Sequence, residues 1–248
     1  MQPIETKLAG LVGRLKDAGG TNLEAILLYG SAARGEYREG KSDLNVMCTL
    51  ASVSASELAR IAPAVNWWTN EQIEPSPLFF TEPELHSSAD VFAIELLDMQ
   101  RDHRVLFGKD VLAGIHVPTN LHRIQVEHEL RTMLLKLRQQ FLLSAHHKKE
   151  LRLVFAKSIS SARTLARHVL IALGENPPHG IRELFDRVAE KSGADPRAFE
   201  MGLEIRENGW KIDIAIAYGA YLRAIEQVIA VLDRHVPKQE WKRTGATP

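Results

Sequence analysis

The stretch "LLYGSAARGEYREGKSDLNVMCTL", Leu27–Leu50, decides how this chain is read. The apolar run "EAILLYG" (Glu24–Gly30) ends in glycine, and its length and flanks are those of a buried strand. Gly30 lets the backbone approach a ligand closely. A helix beginning just after it would turn unpaired N–H groups and a partial positive charge toward a phosphate. Ser31 adds a hydroxyl donor, and Arg34, one turn on, could pair with phosphate oxygens. "SAARGEYREGKS" reads as a short helix followed by a turn. A second strand, "DLNVMCTL", begins at Asp43. Side chains alternate along a strand, so positions 43 and 45 share a face. Two carboxylates there could hold Mg²⁺ for phosphoryl transfer. The second position is occupied by Asn45, a neutral amide.

Outward from this stretch, Ile4, Leu8, Leu11, Val12 and Leu15 recur at helical spacing, and Gly19-Gly20 stops that helix. Ser54 and Glu57 have the capping-box spacing at the start of a helix that Pro63 should kink or end. "PLFF" (Pro77–Phe80) reads as a third strand. Thr81 and Pro83 open another helix. "FAIELLDM" (Phe92–Met99) reads as a fourth strand and "HRVLFG" (His103–Gly108) as a short edge strand. After Pro118 the pattern becomes entirely helical. Four helices are expected, beginning near Leu121, Lys149, Ile181 and Trp210; Leu121, Ile124, Leu130, Leu134, Leu137 and Phe141 lie near one side of the first. The reading is an α+β domain over 1–117 and an all-α, up-and-down helical bundle over 118–248, with a frayed tail after His235.

The chain has 248 residues, of which 45% are hydrophobic and 25% charged, as in ordinary globular proteins. Its formal net charge is zero, which argues against a generally basic nucleic-acid surface. The single cysteine, Cys48, cannot form an intramolecular disulfide and reads as a buried thiol. The N-terminus has no apolar core of signal-peptide type, and no stretch reads as the roughly 20 apolar residues of a membrane span. A cytoplasmic protein without a membrane partner is expected.

"LLYGSAARGEYREGKSDLNV" resembles the nucleotidyltransferase superfamily typified by DNA polymerase beta, kanamycin nucleotidyltransferase and the minimal nucleotidyltransferases. It shares the apolar strand, the Gly-Ser, the later Arg-Gly, and Ser42 ahead of Asp43 on the next strand. The departure is Asn45, where the family pattern has a second carboxylate. The resemblance, which covers most of residues 20–110, implies a mixed sheet with flanking helices. It also implies phosphate binding at Gly30, Ser31, Arg34 and Ser42, and a Mg²⁺ site from Asp43, Asn45 and a third carboxylate. Glu95 is the first choice for that carboxylate. Asp98 is the second and would lie on the opposite strand face. The implied reaction is transfer of a nucleoside monophosphate from ATP or another triphosphate to a hydroxyl of a small molecule or protein, in a cleft between the two halves. Asn45 keeps a second reading open: a degenerate member acting as a nucleotide sensor or interaction module. A homodimer also stays open.

The second half is similar to the helical domain of kanamycin nucleotidyltransferase and to HEPN bundles. Arg163 and His168 have the Arg-x4-His spacing of HEPN ribonucleases, but residues five apart do not share one helix face, and a solvated edge of the bundle is the favoured reading. Trp67-Trp68 reads as one core tryptophan and one at a helix edge. His122 and His128 lack zinc-protease spacing. Arg131, Lys136 and Arg138 could line the cleft.

Overall fold

The computed structural model describes residues 4–37, 42–207 and 212–235. The chain divides into two compact units, 1–118 and 119–248. In the first, α1 (Ile4–Gly19) leads through a 3₁₀ turn into β1 (Leu23–Tyr29). Then come β2 (Asn45–Leu50), α2 (Ala55–Glu71), β3 (Leu78–Phe80), α3 (Glu82–Ser87), α4 (Ala93–Arg101) and β4 (His103–Gly108). The sheet order is β3-β2-β1-β4. β1 runs antiparallel to both neighbours and β3 runs parallel to β2, so the sheet is mixed.

Strand alternation gives the sheet two buried faces. Ile26, Leu28, Val46 and Cys48 meet Leu8, Leu11, Ile61 and Trp68 of α1 and α2. Ala25, Leu27 and Met47 meet Leu85, Ala93, Leu96 and Met99 of α3 and α4 on the other face. Ser54 caps α2 by accepting from the Glu57 N–H, and the helix continues through Pro63 to Glu71 instead of ending there. Thr81 and Glu84 form the capping box of α3. Cys48 is fully buried, which pushes its thiol pKa up and leaves it protonated and unreactive.

The expected strand over Phe92–Met99 is instead α4. A strand there would have buried one acid on either face, because Glu95 alternates with Ala93 and Leu97, and Asp98 with Ile94 and Leu96. Helical spacing puts Ala93, Leu96 and Met99 into the core while Glu95 stays exposed. β2 also begins at Asn45, two residues later than expected, so Asp43 precedes the strand.

The second unit contains α5 (Thr119–Ser144), α6 (Lys148–Ala172), α7 (Ile181–Ser192), α8 (Pro196–Glu207) and α9 (Ile214–Arg234). Four helices were expected, and α8 is the addition. Its stop signals are weak, but Asp195 accepts from the Arg197 N–H at 2.9 Å, and Ala198, Phe199, Gly202 and Leu203 form its buried stripe. A Cβ at Gly202 would fall 2.5 Å from Ile159 Cδ1, so α8 lies close against α6 there. The buried stripe of α5 runs through His122, Val126, Leu130, Leu134 and Leu137, whereas Ile124 is exposed.

α9 is long and apolar enough by length and composition to cross a membrane, contrary to the expectation that no stretch was. One face of it is packed in the bundle, with Ala217, Tyr218, Tyr221, Ile225 and Val228 buried, while Ile216 is exposed. Tyr218 donates its hydroxyl to the Leu137 carbonyl at 2.8 Å, and burial pushes its pKa up to about 12. Asp213 caps α9 through the N–H groups of Ala215 and Ile216, and these bonds hold its carboxyl below the usual range. The expected frayed tail after His235 lies outside the described residues.

The first unit offers a direct test at Gly108. Its φ of +76° suits glycine, and a Cβ would lie 2.0 Å from the Glu24 carbonyl oxygen. Gly108→Ala must therefore displace backbone where β4 ends against β1. A loss of about 1–3 kcal/mol is expected, read as a lower midpoint in urea unfolding. An unchanged midpoint would contradict this packing.

Candidate functional site

The candidate site is built on the last residue of β1. Tyr29 is opposite Asn45 of β2 on one side and His103 of β4 on the other. The next residue, Gly30, has φ +81°, a backbone conformation that costs L-residues energy. A Cβ placed on Gly30 would be 3.5 Å from Asn45 Nδ2, so the glycine and the amide are close neighbours. Asn45 turns its Nδ2 toward Gly30.

After Gly30 the chain forms successive turns over Ser31–Gly35, not the expected helix. Ala33 and Arg34 N–H groups donate to the Gly30 carbonyl, Gly35 to Ala32 and Glu36 to Ser31. The reason lies in composition: Gly35 takes φ +76° and closes the turn before a helical ladder can extend. No helix begins at Ser31, so among the described residues the anion-binding elements of this turn are individual amides and the Ser31 hydroxyl. Gly30 N–H is engaged, donating to the Asp102 carbonyl at 2.9 Å. The N–H groups of Ser31 and Ala32 are not donors in any of these turn bonds.

Arg34 is engaged as well. Its Nη1 donates to Asp102 Oδ2 at 2.5 Å and its Nη2 to Glu36 Oε2 at 3.2 Å. Burial disfavours the guanidinium charge, but the hydrogen bond and attraction of Asp102, joined by Glu36, hold its pKa above the ordinary arginine value. The expectation that Arg34 reaches phosphate is therefore corrected to a guanidinium held by two carboxylates.

Of the other expected residues, Ser42 is half-buried and Asp43 exposed, both just before β2. Glu95 is exposed in the first turn of α4. On this helix Glu95 and Asp98 lie at i and i+3, so they share one flank instead of opposite faces. The contacts at the end of β1 join Gly30 to Asn45 and Arg34 to Asp102. Among the described residues, no group of three His, Cys, Asp or Glu side chains converges as a metal site. Asp43 with the Asn45 amide oxygen suits Mg²⁺ that arrives with phosphates, because Mg²⁺ keeps waters and needs only one or two carboxylates. It does not suit a resident ion held by protein alone.

Sequence reasoning missed Asp102, which touches the turn through both carbonyl and carboxylate. The available signal was an acid between the end of an apolar helix and an edge strand, in "QRDHRVLFG". Next to it, His103 Nε2 lies 3.0 Å from Asp110 Oδ2. Partial burial works to raise the Asp110 pKa, but His103 and the Leu112 N–H outweigh it and lower the value.

Elsewhere, Trp68 is fully buried and donates Nε1–H to the Pro75 carbonyl at 2.9 Å. Trp67 is half-buried beneath the Arg14 guanidinium, 4.3 Å from its ring centroid. His168 is not at a solvated edge: it is fully buried, with Nδ1 2.8 Å from Nε2 of the equally buried His122. That burial removes His168 from contact with RNA. Arg131 pairs with Glu127, and Arg138 with Glu226, inside their own unit.

The sequence matches no protein-family model and no curated protein. The structure is similar to that of the spectinomycin adenyltransferase AAD(9) of Enterococcus faecialis, solved with ATP and spectinomycin. The two chains are 12% identical, with a TM-score of 0.55, over 94% of this chain and 100% of that one. This likeness establishes the fold: a nucleotidyltransferase-type mixed sheet with flanking helices, followed by a helical region.

Gly30 itself can be tested. Gly30→Ala leaves an ordinary contact distance to Asn45, so its cost comes from φ alone. A loss of roughly 1–2 kcal/mol is expected in chemical denaturation, and an unaltered midpoint would show that Gly30 does not hold this conformation.

Proposed function

We propose that this chain binds a nucleoside triphosphate, ATP foremost, and transfers its nucleoside monophosphate to a hydroxyl of a small molecule. The observation that carries this reading is the meeting of Gly30 and Asn45 at the end of β1, beside the Ser31 and Ala32 amides. Its support is the fold shared with an adenyltransferase solved with ATP and an antibiotic. In this reading Ser31 and Ala32 bind the terminal phosphates, with Ser42 nearby in sequence. Asp43, Asn45 and Glu95 are the residues assigned to Mg²⁺. The metal would neutralise charge on the departing pyrophosphate. The acceptor oxygen attacks the α-phosphorus, the bond to the β-phosphate breaks, pyrophosphate leaves and the hydroxyl proton passes to solvent.

Charge supports metal dependence. Arg34 is met by Asp102 and Glu36, and Asp43 is exposed just ahead of β2. Among the described residues, the arginine of this turn is already met by carboxylates, so an accompanying cation would favour the approach of a triphosphate. The reading has the protein act in the cytoplasm, where triphosphates are supplied, and leaves one chain or a homodimer open.

Asn45 favours a second reading, in which the site binds nucleotide but has lost transfer. A charged ligand binds a metal more strongly than an amide does. Calorimetry with ATP, with and without Mg²⁺, separates the outcomes. Mg²⁺-dependent binding is expected, and no heat at millimolar ATP would sink the proposal. Asn45→Asp should tighten Mg·ATP binding by about five- to tenfold. Pyrophosphate release seen only in Asn45→Asp would identify the parent chain as the degenerate form.

A further inference from the structure

We propose that Asp102 is a positioning residue of the nucleotide site, clamping the Gly30–Arg34 turn at both ends so that the Ser31 and Ala32 amides keep their aim. The proposal rests on the reading of that turn as the phosphate cradle. Two bonds carry it. The Asp102 carbonyl accepts the Gly30 N–H at 2.9 Å, and the Asp102 carboxylate accepts from Arg34 Nη1 at 2.5 Å. These are the first and last residues of the segment that contains Ser31 and Ala32. The side chain of Asp102 is 8% exposed and that of Arg34 19%, so water screens the pair little. Glu36 is half exposed and its contact with Arg34 is longer, so it adds little.

Asp102 is itself held on both sides. Its N–H donates to the Asp98 carbonyl at the end of α4, and the next residue, His103, is opposite Tyr29 in the sheet. A corner of the fold fixed by α4 and β4 therefore ties down a turn whose own backbone bonds run only within Gly30–Glu36. Arg34 transmits this rigidity as a strut. Precise placement matters for phosphoryl transfer, where positioning and electrostatics supply most of the catalysis. The opposite possibility has the opposite sign: if Asp102 merely withheld Arg34 from phosphate, removing its charge would release the arginine and tighten binding.

The test compares the parent chain, Asp102→Asn and Arg34→Lys for Mg·ATP affinity by calorimetry, for unfolding midpoint, and for the Ser31 and Ala32 amide signals in NMR titration. Asp102→Asn keeps the backbone bond to Gly30 and the side-chain shape. Expected are Mg·ATP affinity weaker by about tenfold or more, smaller ATP-induced shifts at Ser31 and Ala32, and a double variant no weaker than the worse single variant. A merely structural role would lower the midpoint while leaving the affinity of the folded protein unchanged, and that result overturns the proposal. Tighter binding in Asp102→Asn overturns it too, in favour of the withheld arginine. If the parent itself fails to bind Mg·ATP, the reading of the site falls and this inference falls with it; equal binding by parent and variants removes this inference alone.

Discussion

The antiparallel pairing of β1 with both of its neighbours is the constraint on which the candidate site depends. One row of that sheet, Asn45–Tyr29–His103, fixes three chain segments side by side. Gly30 leaves the sheet just beyond the row, Asn45 is beside it, and Asp102 closes it from the end of α4. A shift of one residue in either register would turn Asn45 or His103 to the other face of the sheet. Close packing opposes such a shift, because both faces are buried against helices and each side chain fills its own space there. The core that stabilises the first unit is therefore also what aligns its site.

Electrostatics then sorts the roles. A positive arginine beside a Gly-Ser turn suggests a phosphate ligand, but Arg34 has two carboxylate partners and little exposure. Among the described residues, the remaining donors of the turn are neutral amides and the Ser31 hydroxyl. Under the proposed function, such donors bind a triphosphate best when a cation accompanies it. Asn45 lowers the protein's own share of negative charge without altering the strand that carries it. Asn45 is thus compatible with the fold, and its bearing on chemistry belongs to the proposed function.

The helical unit illustrates how close packing can use residues that look functional. His122 and His168 are hydrogen-bonded to each other inside the bundle, and the histidine of an Arg-x4-His spacing becomes part of the core. Glycine at 202 lets α8 approach α6, which brings in a helix that has only a short apolar stripe. The apolar length of α9 follows from its contacts with α5, α6, α7 and α8.

The sequence by itself determined β1, the glycine at its end, the spacing from Ser31 to Asp43 and Asn45, the capped helices and the change to an all-helical pattern after Pro118. These features are local: strand alternation, capping spacings and glycine turns act within a few residues. Only the tertiary structure decided that Phe92–Met99 is a helix, since a short apolar run fits either period until its acids must avoid a core. It also decided that Arg34 belongs to Asp102, 68 residues away, and His122 to His168, 46 residues away. Such partners share no local pattern. They meet because the sheet register and the helix packing bring distant segments together, and burial then makes each polar group take the partner within reach.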